Sequence, residues 1–247
     1  MIAEDESSAP GEKFWRTLGW KPDIGQTEQL LELQRQLSYW NTQVNLSRLV
    51  DGPDFWIAQV FDSLWPLRRE LNNATRLRYC IDVGTGGGLP GLVVAIALPG
   101  AQLTLVESLR RKTSAITKIV QALSLSKRVQ TRTERVELTG RNPDHRSTYD
   151  LAMARAVAAA PIVAEYLVPL LRPSGEAILF CGHWTKDNAK ELMAALVPLQ
   201  AHLCLTEKQY LPNGRGLRHQ IRLRPSRPCP ANFPRRIGAA VKKPLGH

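Results

Sequence analysis

The sequence lacks the features that mark secreted, metal-stapled and membrane proteins. Its 247 residues include four cysteines without a CxxC pair and five histidines without metal-ligand spacing, so we expect neither a disulfide framework nor a metal site. The longest unbroken apolar run, residues 92–98, is too short to cross a bilayer. The first residues include Glu4, Asp5 and Glu6, whereas a signal peptide begins with basic residues. We therefore predict a cytoplasmic protein that does not bind membranes.

Acidic residues are missing from the C-terminal end of the chain. No Asp or Glu follows Glu207, whereas ten Lys and Arg residues do. The first 207 residues contain 23 basic and 22 acidic side chains, so nearly all of the net charge of +11 lies beyond them. Charge separated in this way is typical of a surface that binds nucleic acid or anionic lipid, but a solubilising tail has the same composition.

The hydrophobic pattern divides the chain into four parts. Residues 1–25 mix acidic residues, Gly and Pro, which predicts a flexible arm. Residues 26–75 show helical periodicity and predict an N-terminal helical layer. In residues 76–224 short apolar strands alternate with helices, which predicts a doubly wound, mostly parallel sheet of seven strands in the α/β class. Residues 225–247 form a basic C-terminal tail.

The predicted elements of the α/β part follow one another closely. The predicted strands cover residues 77–83, 103–107, 129–133, 150–154, 176–181, 203–210 and 219–223. The predicted helices cover residues 54–71 (in the N-terminal layer), 91–98, 109–125, 156–171 and 186–199. The turn Pro212–Gly216 favours an antiparallel hairpin between the last two strands.

A glycine-rich loop, DVGTGGGLPG, follows the first predicted strand. It lies at the carboxyl end of that strand, where a doubly wound sheet binds its ligand. Gly86, Gly88 and Gly91 fit the dinucleotide fingerprint G-x-G-x-x-G. Asp82 with Gly84, Gly86 and Gly88 fits better, because this acidic-x-G-x-G-x-G pattern resembles the first motif of the class I S-adenosylmethionine-dependent methyltransferases. That cofactor has no pyrophosphate, and it has an amino group that the Asp82 carboxylate is expected to hold.

An acidic residue also ends the second predicted strand. Glu107 lies 23 residues after Gly84, and its carboxylate is placed to accept hydrogen bonds from two ribose hydroxyls. Methyltransferases and nicotinamide enzymes both use such an acid, so Glu107 does not separate them. A nicotinamide-dependent oxidoreductase and a non-catalytic RNA-binding module therefore stay as alternatives.

Further motifs resemble one family, the small-subunit ribosomal RNA guanine-N7 methyltransferases, also called glucose-inhibited division protein B. The resemblance runs from about residue 26 to the C-terminus. Its motifs are WNTQVNLS (residues 40–47), Asp62-Ser63, the glycine loop, Glu107-Ser108-Leu109 with Arg111 and Lys112, Arg135-Val136-Glu137, Ala154-Arg155-Ala156, and the ending from Phe233 to Leu245. It implies a Rossmann-like fold, S-adenosylmethionine as cofactor, and small-subunit ribosomal RNA as substrate, naked or within an assembling particle. Another RNA methyltransferase activity is the alternative, and we expect a monomer.

The resemblance also implies roles for individual residues. The expected cofactor-binding residues are Asp82, Gly84, Gly86, Gly88, Leu89, Glu107, Ser108, Leu109, Val136, Glu137 and Arg155, with Val136 and Glu137 beside the adenine. Asn41 and Arg155 are expected to position the substrate, and the expected RNA-binding residues are Arg155, Arg235, Arg236, Lys242 and Lys243. Two positions depart from the family pattern: Gln59 replaces a histidine, and Cys181 replaces a lysine.

The sequence shows no general base, and guanine-N7 chemistry needs none. N7 carries an in-plane lone pair and no proton, so positioning and electrostatics suffice. No Asn/Asp-Pro-Pro-aromatic motif follows the fourth strand, and Pro228-Cys229 lies in the tail, far from any strand end. These absences argue against exocyclic-amine and thiolate chemistry. We therefore expect a methyl-transfer rate that is nearly flat between about pH 6 and 8.5.

Overall fold

The computed structural model describes residues 9–47 and 49–246, so the first eight residues of the predicted arm lie outside the described residues. Its centre is a seven-stranded sheet in the order β3-β2-β1-β4-β5-β7-β6, in which β7 runs antiparallel to both of its neighbours. The strands are β1 (Arg78–Val83), β2 (Ala101–Glu107), β3 (Val129–Thr133), β4 (Tyr149–Arg155), β5 (Leu171–Cys181), β6 (Ala201–Tyr210) and β7 (Leu217–Pro225). The predicted doubly wound sheet with its antiparallel hairpin is confirmed.

Helices cover both faces of the sheet. They are α1 (Glu12–Leu18), α2 (Ile24–Asn41), α3 (Gly52–Asp54), α4 (Asp62–Leu64), α5 (Arg68–Leu71), α6 (Gly91–Ala97), α7 (Arg110–Ala122), α8 (Val136–Thr139), α9 (Ala160–Leu167), α10 (Lys186–Leu199) and α11 (Ala239–Lys242). A π-helix (Phe55–Phe61) and a 3₁₀-helix (Trp65–Leu67) join α3, α4 and α5, and 3₁₀ turns also cover Val168–Leu170 and Pro212–Gly214. Helices α1, α2, α6 and α7 pack on one face, and α9, α10 and α11 on the other.

The central strands β1, β2 and β4 are buried on both faces, as expected for a covered parallel sheet. In β1, Cys80 belongs to the core on the side of α2, whereas Ile81 and Val83 belong to the core on the side of α9. The carboxyl ends of β1, β2 and β4 are adjacent, because β1 pairs with both of the others. The loops that follow these three strands therefore meet at one edge of the sheet.

The N-terminal layer begins earlier than the sequence predicted. Helix α2 buries Leu30, Leu33 and Leu37 at three- and four-residue spacing, as its periodicity indicated. Helix α1, however, buries Trp15 and Leu18 against the same core. The predicted flexible arm is therefore wrong for residues 12–18, because two apolar side chains one turn apart suffice to dock a short helix.

Two predicted boundaries, one after β4 and one before β5, were also wrong. The helix after β4 begins at Ala160 rather than Ala156, because Ala156 has a positive φ of 56° and Pro161 lies in the first turn of α9. The strand predicted over residues 176–181 begins earlier, at Leu171, and its register with β4 is irregular there. The late start of α9 leaves residues 156–159 as a loop beside the glycine loop.

The basic tail folds back onto the protein. Residues 226–246, called the C-terminal strap below, lie against α9 and the loop before β4. The buried Glu165 carboxylate accepts hydrogen bonds from Arg235, at its backbone N (2.8 Å) and its guanidinium Nη2 (2.6 Å). Arg146 donates to the carbonyl oxygens of Cys229, Pro230 and Phe233. No helix within the described residues has the length and apolarity that crossing a membrane requires.

Candidate active site

The glycine loop between β1 and α6 is shaped by positive φ angles at Gly84, Gly86 and Gly88. A Cβ on Gly84 would lie 2.7 Å from a methyl carbon of Val157, and one on Gly88 would lie 2.5 Å from Leu92. These two glycines are needed for packing. A Cβ on Gly86 would meet only the Gly84 carbonyl oxygen, at 4.0 Å, so this position faces open space. Gly86 therefore leaves room for a ligand rather than for a neighbouring element.

The buried Asp82 carboxylate stabilises the glycine loop through hydrogen bonds. Its Oδ2 accepts hydrogen bonds from Thr85 Oγ1 (2.6 Å) and from the backbone N of Gly91 (2.8 Å), while Oδ1 is buried without a partner among the described residues. Asp82 is fully buried and does not line the cleft above the loop. The structure thus does not support the predicted direct contact with a cofactor amino group; the carboxylate organises the loop.

Asp82 gives the folded state a distinctive pH dependence. Burial raises the pKa of Asp82 from 3.8 to about 6, although the Thr85 and Gly91 hydrogen bonds oppose the shift. Because the folded state holds this proton more tightly, Asp82 stabilises the fold at low pH. That stability is lost as the pH rises from about 4 to about 6, by about 3 kcal/mol.

We expect Asp82→Asn to remove this pH dependence. An amide oxygen keeps both hydrogen bonds but does not ionise, so the variant should gain stability relative to wild type between pH 4.5 and pH 7.5, by up to about 3 kcal/mol. Urea unfolding at several pH values measures the difference. Asp187→Asn, at an exposed position on α10, is the control. A stability difference between Asp82→Asn and wild type that stays constant with pH would contradict the assignment.

A cleft of about 660 Å³ opens above the glycine loop, between the sheet edge and the N-terminal layer. Glu107 stands at its wall, where β2 ends. The Glu107 carboxylate accepts hydrogen bonds from Gly86 N (3.1 Å) and Leu109 N (2.9 Å), which fix its orientation. The other residues that line the cleft include Leu46, Ser47, Gln59, Asp62, Gly84, Leu89, Lys112, Arg155, Ala156, Phe180, Cys181, Gly182 and Arg218.

A narrower slot of about 120 Å³ adjoins the cleft at Gly84 and Glu107. Its walls are mainly apolar and include Val106, Val136, Val157 and Tyr166, together with Ser108. The cleft, the acid at the junction and the small, mainly apolar slot match an amino acid, a ribose and an adenine in that order. The arrangement fits S-adenosylmethionine, with Glu107 placed for its ribose hydroxyls.

Several predicted cofactor residues do not line the cleft or the slot. Gly88 and Leu109 line neither cavity. The Glu137 carboxylate is 1% exposed and accepts hydrogen bonds from Arg135 and from the backbone N of Gly238. Its predicted contact with the adenine amine is not supported, since this carboxylate ties α8 to the C-terminal strap. Val136 keeps its predicted place beside the slot.

Arg155 reaches from the end of β4 to the N-terminal layer. Its Nη1 donates to the Ala58 carbonyl oxygen (3.0 Å) and pairs with Asp62 Oδ2 (3.2 Å), while Nη2 donates to Gln59 Oε1 (2.5 Å). The Ala58 and Gln59 groups lie in the π-helix, a form that often occurs at functional sites. Arg155 therefore lies at the end of β4 and lines the cleft.

Gln59 and Asn41 position the segment that closes the cleft. Gln59 Nε2 donates to Ser47 Oγ (2.9 Å) and the Leu49 carbonyl oxygen (3.0 Å) while its Oε1 accepts from Arg155. A neutral histidine also offers one acceptor and one donor, so the amide can replace the family's histidine chemically. Asn41 accepts from the backbone N of Leu46 and Ser47 and donates to the Ser47 carbonyl oxygen. Asn41 therefore acts on the cleft through this segment.

Sequence reasoning missed the slot residues Val157 and Tyr166 and the cleft residue Leu46. Val157 follows the Ala-Arg-Ala motif directly, and Leu46 lies in the WNTQVNLS motif, so both carried a weak signal. Tyr166 lies on α9 without any motif around it. Of the predicted RNA-binding residues, Arg235 is engaged with Glu165, whereas Arg236, Lys242 and Lys243 are exposed.

The dinucleotide alternative meets an electrostatic obstacle. A pyrophosphate would need free N–H groups at the start of α6. There the Gly91 N–H donates to the Asp82 carboxylate, and Pro90 has no N–H. An ionised Asp82 would also repel a pyrophosphate, so the loop favours a ligand without phosphate.

Solved structures of low sequence identity share this fold. The METTL16 methyltransferase domain aligns over 79% of this chain and 80% of its own, with a TM-score of 0.53 and 17% identity. A branched-chain polyamine synthase mutein from Thermus thermophilus, in complex with N4-aminopropylspermidine and 5'-methylthioadenosine, aligns over 81% of this chain and 65% of its own, with a TM-score of 0.57 and 12% identity. Fold, glycine loop and strand-end acid together define the class I, Rossmann-like methyltransferase architecture.

Comparisons of sequence identify the family within that class. The family model described as GidB, rRNA small subunit methyltransferase G, matches residues 26–209. The protein named Ribosomal RNA small subunit methyltransferase G from Prochlorococcus marinus (strain MIT 9313) is 59% identical over 239 residues, 97% of either chain. Its namesake from Synechococcus sp. (strain WH7803) is 55% identical, covering 97% of this chain and 94% of its own. The chain belongs to the GidB family.

Proposed function

We propose that the protein transfers the methyl group of S-adenosylmethionine to N7 of a guanine in small-subunit ribosomal RNA. The observation that carries the proposal is the continuous path from the cleft, past Glu107, into the apolar slot. Membership of the GidB family supports the RNA substrate. The substrate is either free RNA or an assembling particle, and the protein acts as a monomer in the cytoplasm.

The cofactor-binding roles rest on the positions of a few groups. Gly84, Gly86 and Leu89 would hold the methionine part, Glu107 the ribose, and Val136 the adenine. The bound cofactor supplies an electrophilic methyl group on a positively charged sulfur. We propose that residues 76–224 form the cofactor-binding core, residues 26–75 cover the cleft, and the C-terminal strap braces the slot.

The chain's own groups orient the reaction rather than exchange protons. Burial raises the pKa of Cys181, which lines the cleft, to about 11, so this thiol stays protonated at neutral pH. A thiolate mechanism is thereby disfavoured. Arg155 is fixed by Asp62 and Gln59 at the mouth, where its charge can orient the base and its phosphates. A guanine with its N7 lone pair directed at the methyl carbon then needs no general base.

Five of the ten cations after Glu207 are paired within the fold, namely Arg215, Arg218, Arg222, Arg224 and Arg235. The exposed strap residues Arg236, Lys242 and Lys243 are the cations that we assign to RNA phosphates. N7 lies in the deep major groove of A-form RNA, so the target guanine must be unpaired or extruded when it reacts.

The test combines ligand binding with product mapping. S-adenosylhomocysteine, but not NAD, should stabilise the protein by about 2.7 kcal/mol at 100 times its Kd. Incubation with small-subunit RNA or particles should then yield 7-methylguanosine, detected by mass spectrometry of nuclease digests. The single-turnover rate should be nearly flat from about pH 6 to 8.5, and pairing the target in a continuous duplex should suppress it. A steep rise of rate near neutrality would indicate a general base and rule out N7.

A further inference from the structure

A second cavity, of about 280 Å³, adjoins the cleft on the side away from the adenine slot. The two cavities share Ala156, Phe180, Cys181 and Gly182 in their walls. These residues follow β4 or end β5, and Arg155 at the end of β4 pairs in register with Phe180. A group seated in this cavity would therefore face the cleft across a common boundary, as a methyl acceptor must.

The side chains that line this cavity suit an aromatic ring. Ala158, Ala159 and Ala160 line one part of it with small side chains, and their position follows from the late start of α9. Trp184 and Phe180 supply aromatic surface in the same cavity. Extruded bases are commonly stacked on aromatic side chains in such pockets.

Two polar residues of the cavity lie on α10, and His183, which follows the shared boundary residue Gly182, also lines it. Asn188 and Glu191 are three residues apart and face the cavity together. Asn188 Oδ1 caps the helix by accepting from the backbone N of Thr185 (3.1 Å), which leaves its amide N–H groups for a ligand. The Glu191 carboxylate takes part in no hydrogen bond or ion pair within the described residues, in contrast to Asp187 on the same helix, which pairs with Lys190.

A carboxylate beside an amide donor is complementary to guanine. Guanine presents two adjacent donors, N1–H and N2–H₂, next to the acceptor O6, and an ionised carboxylate only accepts hydrogen bonds. Adenine would place its N1 acceptor against the carboxylate, which is unfavourable. N2 and N7 lie on opposite sides of the purine, so a guanine held at N2 by Glu191 turns N7 away from α10 and toward the cleft.

The C-terminal strap places positive charge beside the same helix. Gly246 lies so close to α10 that a Cβ there would be 2.7 Å from the Glu191 carbonyl oxygen. The exposed Lys242 and Lys243 precede it by a few residues, and the Lys243 carbonyl oxygen accepts from Arg235. The strap therefore carries two exposed cations within four positions of its contact with the helix that bears Glu191.

We propose that this cavity is the acceptor subsite, in which Glu191 and Asn188 hold the Watson–Crick edge of the extruded guanine and Trp184 contacts its ring. The inference rests on the proposed function and adds to it the residues that select guanine. Glu191 is a positioning and specificity-determining residue that does not exchange a proton with the substrate.

The test pairs a protein change with a matched change in the base. Inosine has N1–H and N7 but lacks the N2 amino group. The target guanine is first mapped with the wild-type enzyme, and inosine then replaces it in reconstituted RNA or particles. Glu191→Gln is expected to lower the single-turnover rate about tenfold or more on guanine, and inosine to lower the wild-type rate similarly. Glu191→Gln and inosine together should lower the single-turnover rate little more than either change alone. Asp187→Asn is the control for lost charge on α10 and should behave as wild type.

Binding of S-adenosylhomocysteine distinguishes a failure of the acceptor subsite from a failure of the proposed function. Its affinity should be unchanged in Glu191→Gln and in Asn188→Asp. The Asn188→Asp variant keeps the helix cap but loses the amide donor, so it should also slow methylation. The subsite is overturned if Glu191→Gln matches Asp187→Asn, or if the inosine penalty persists undiminished in Glu191→Gln. Should the wild-type protein fail to methylate guanine N7 at all, the proposed function fails first and this inference with it.

Discussion

Replacing Gly86 by valine is expected to weaken S-adenosylmethionine binding by at least about 100-fold, which is about 2.7 kcal/mol, in a protein that still folds. The position has a φ of +60°, and a Cβ there would project into the open cleft rather than into a neighbouring element. A valine side chain would fill the space beside the loop that the cofactor needs. It would also disturb the Gly86 N–H bond that orients Glu107.

Gly19→Val separates the effect of backbone strain from the loss of ligand space. Gly19 also has a positive φ, +75°, and open space around its Cβ position, but it lies at the end of α1, away from the cleft. Both variants should lose a similar 1–2 kcal/mol of stability. Isothermal titration with S-adenosylhomocysteine should find normal affinity in Gly19→Val alone; normal affinity in a folded Gly86→Val protein would remove Gly86 from the cofactor site.

Truncation after Arg224 is expected to prevent folding rather than merely to remove an RNA-binding tail. It would leave Glu165, 1% exposed, without Arg235, and an uncompensated buried charge costs about 3–5 kcal/mol. It would also remove the buried Phe233 and the carbonyl partners of Arg146. The total approaches the whole stability of a typical domain, about 5–15 kcal/mol. Circular dichroism and thermal melting of the truncated chain check this expectation.

Two full-length variants divide the structural role of the strap from its role in RNA binding. Glu165→Gln should destabilise the fold by several kcal/mol, because Arg235 loses its partner. Joint replacement of Arg236, Lys242 and Lys243 by glutamine should leave the melting temperature nearly unchanged, since these side chains are exposed. The slope of log affinity for RNA against log salt should then fall by about 2, at roughly 0.7 for each phosphate contact with single strands. An unchanged slope would show that these cations do not bind RNA.

The sequence by itself determined the architecture and the place of the cofactor site. Alternating strands and helices, each with its own hydrophobic period, predict a doubly wound sheet, because both periods reflect local backbone geometry. The DVGTGGGLPG loop and Glu107 likewise lie at the carboxyl ends of strands, and in a parallel sheet these ends lie at the same edge. The helix predicted over residues 186–199 also coincides with α10, Lys186–Leu199.

Only the tertiary structure decided what the individual charges do. Asp82, Glu137 and Arg235 were all predicted to contact ligands. Each instead forms hydrogen bonds with another group of the protein, and these partners lie beneath the cleft or away from it. Such pairings join residues up to 101 positions apart, and no local pattern encodes them. A buried charge must find a partner wherever the fold brings one within reach. The strap, the loop after β4 and the second cavity, where the Glu191 carboxylate has no partner within the described residues, are therefore consequences of packing. They could be recognised only once both faces of the sheet were in place.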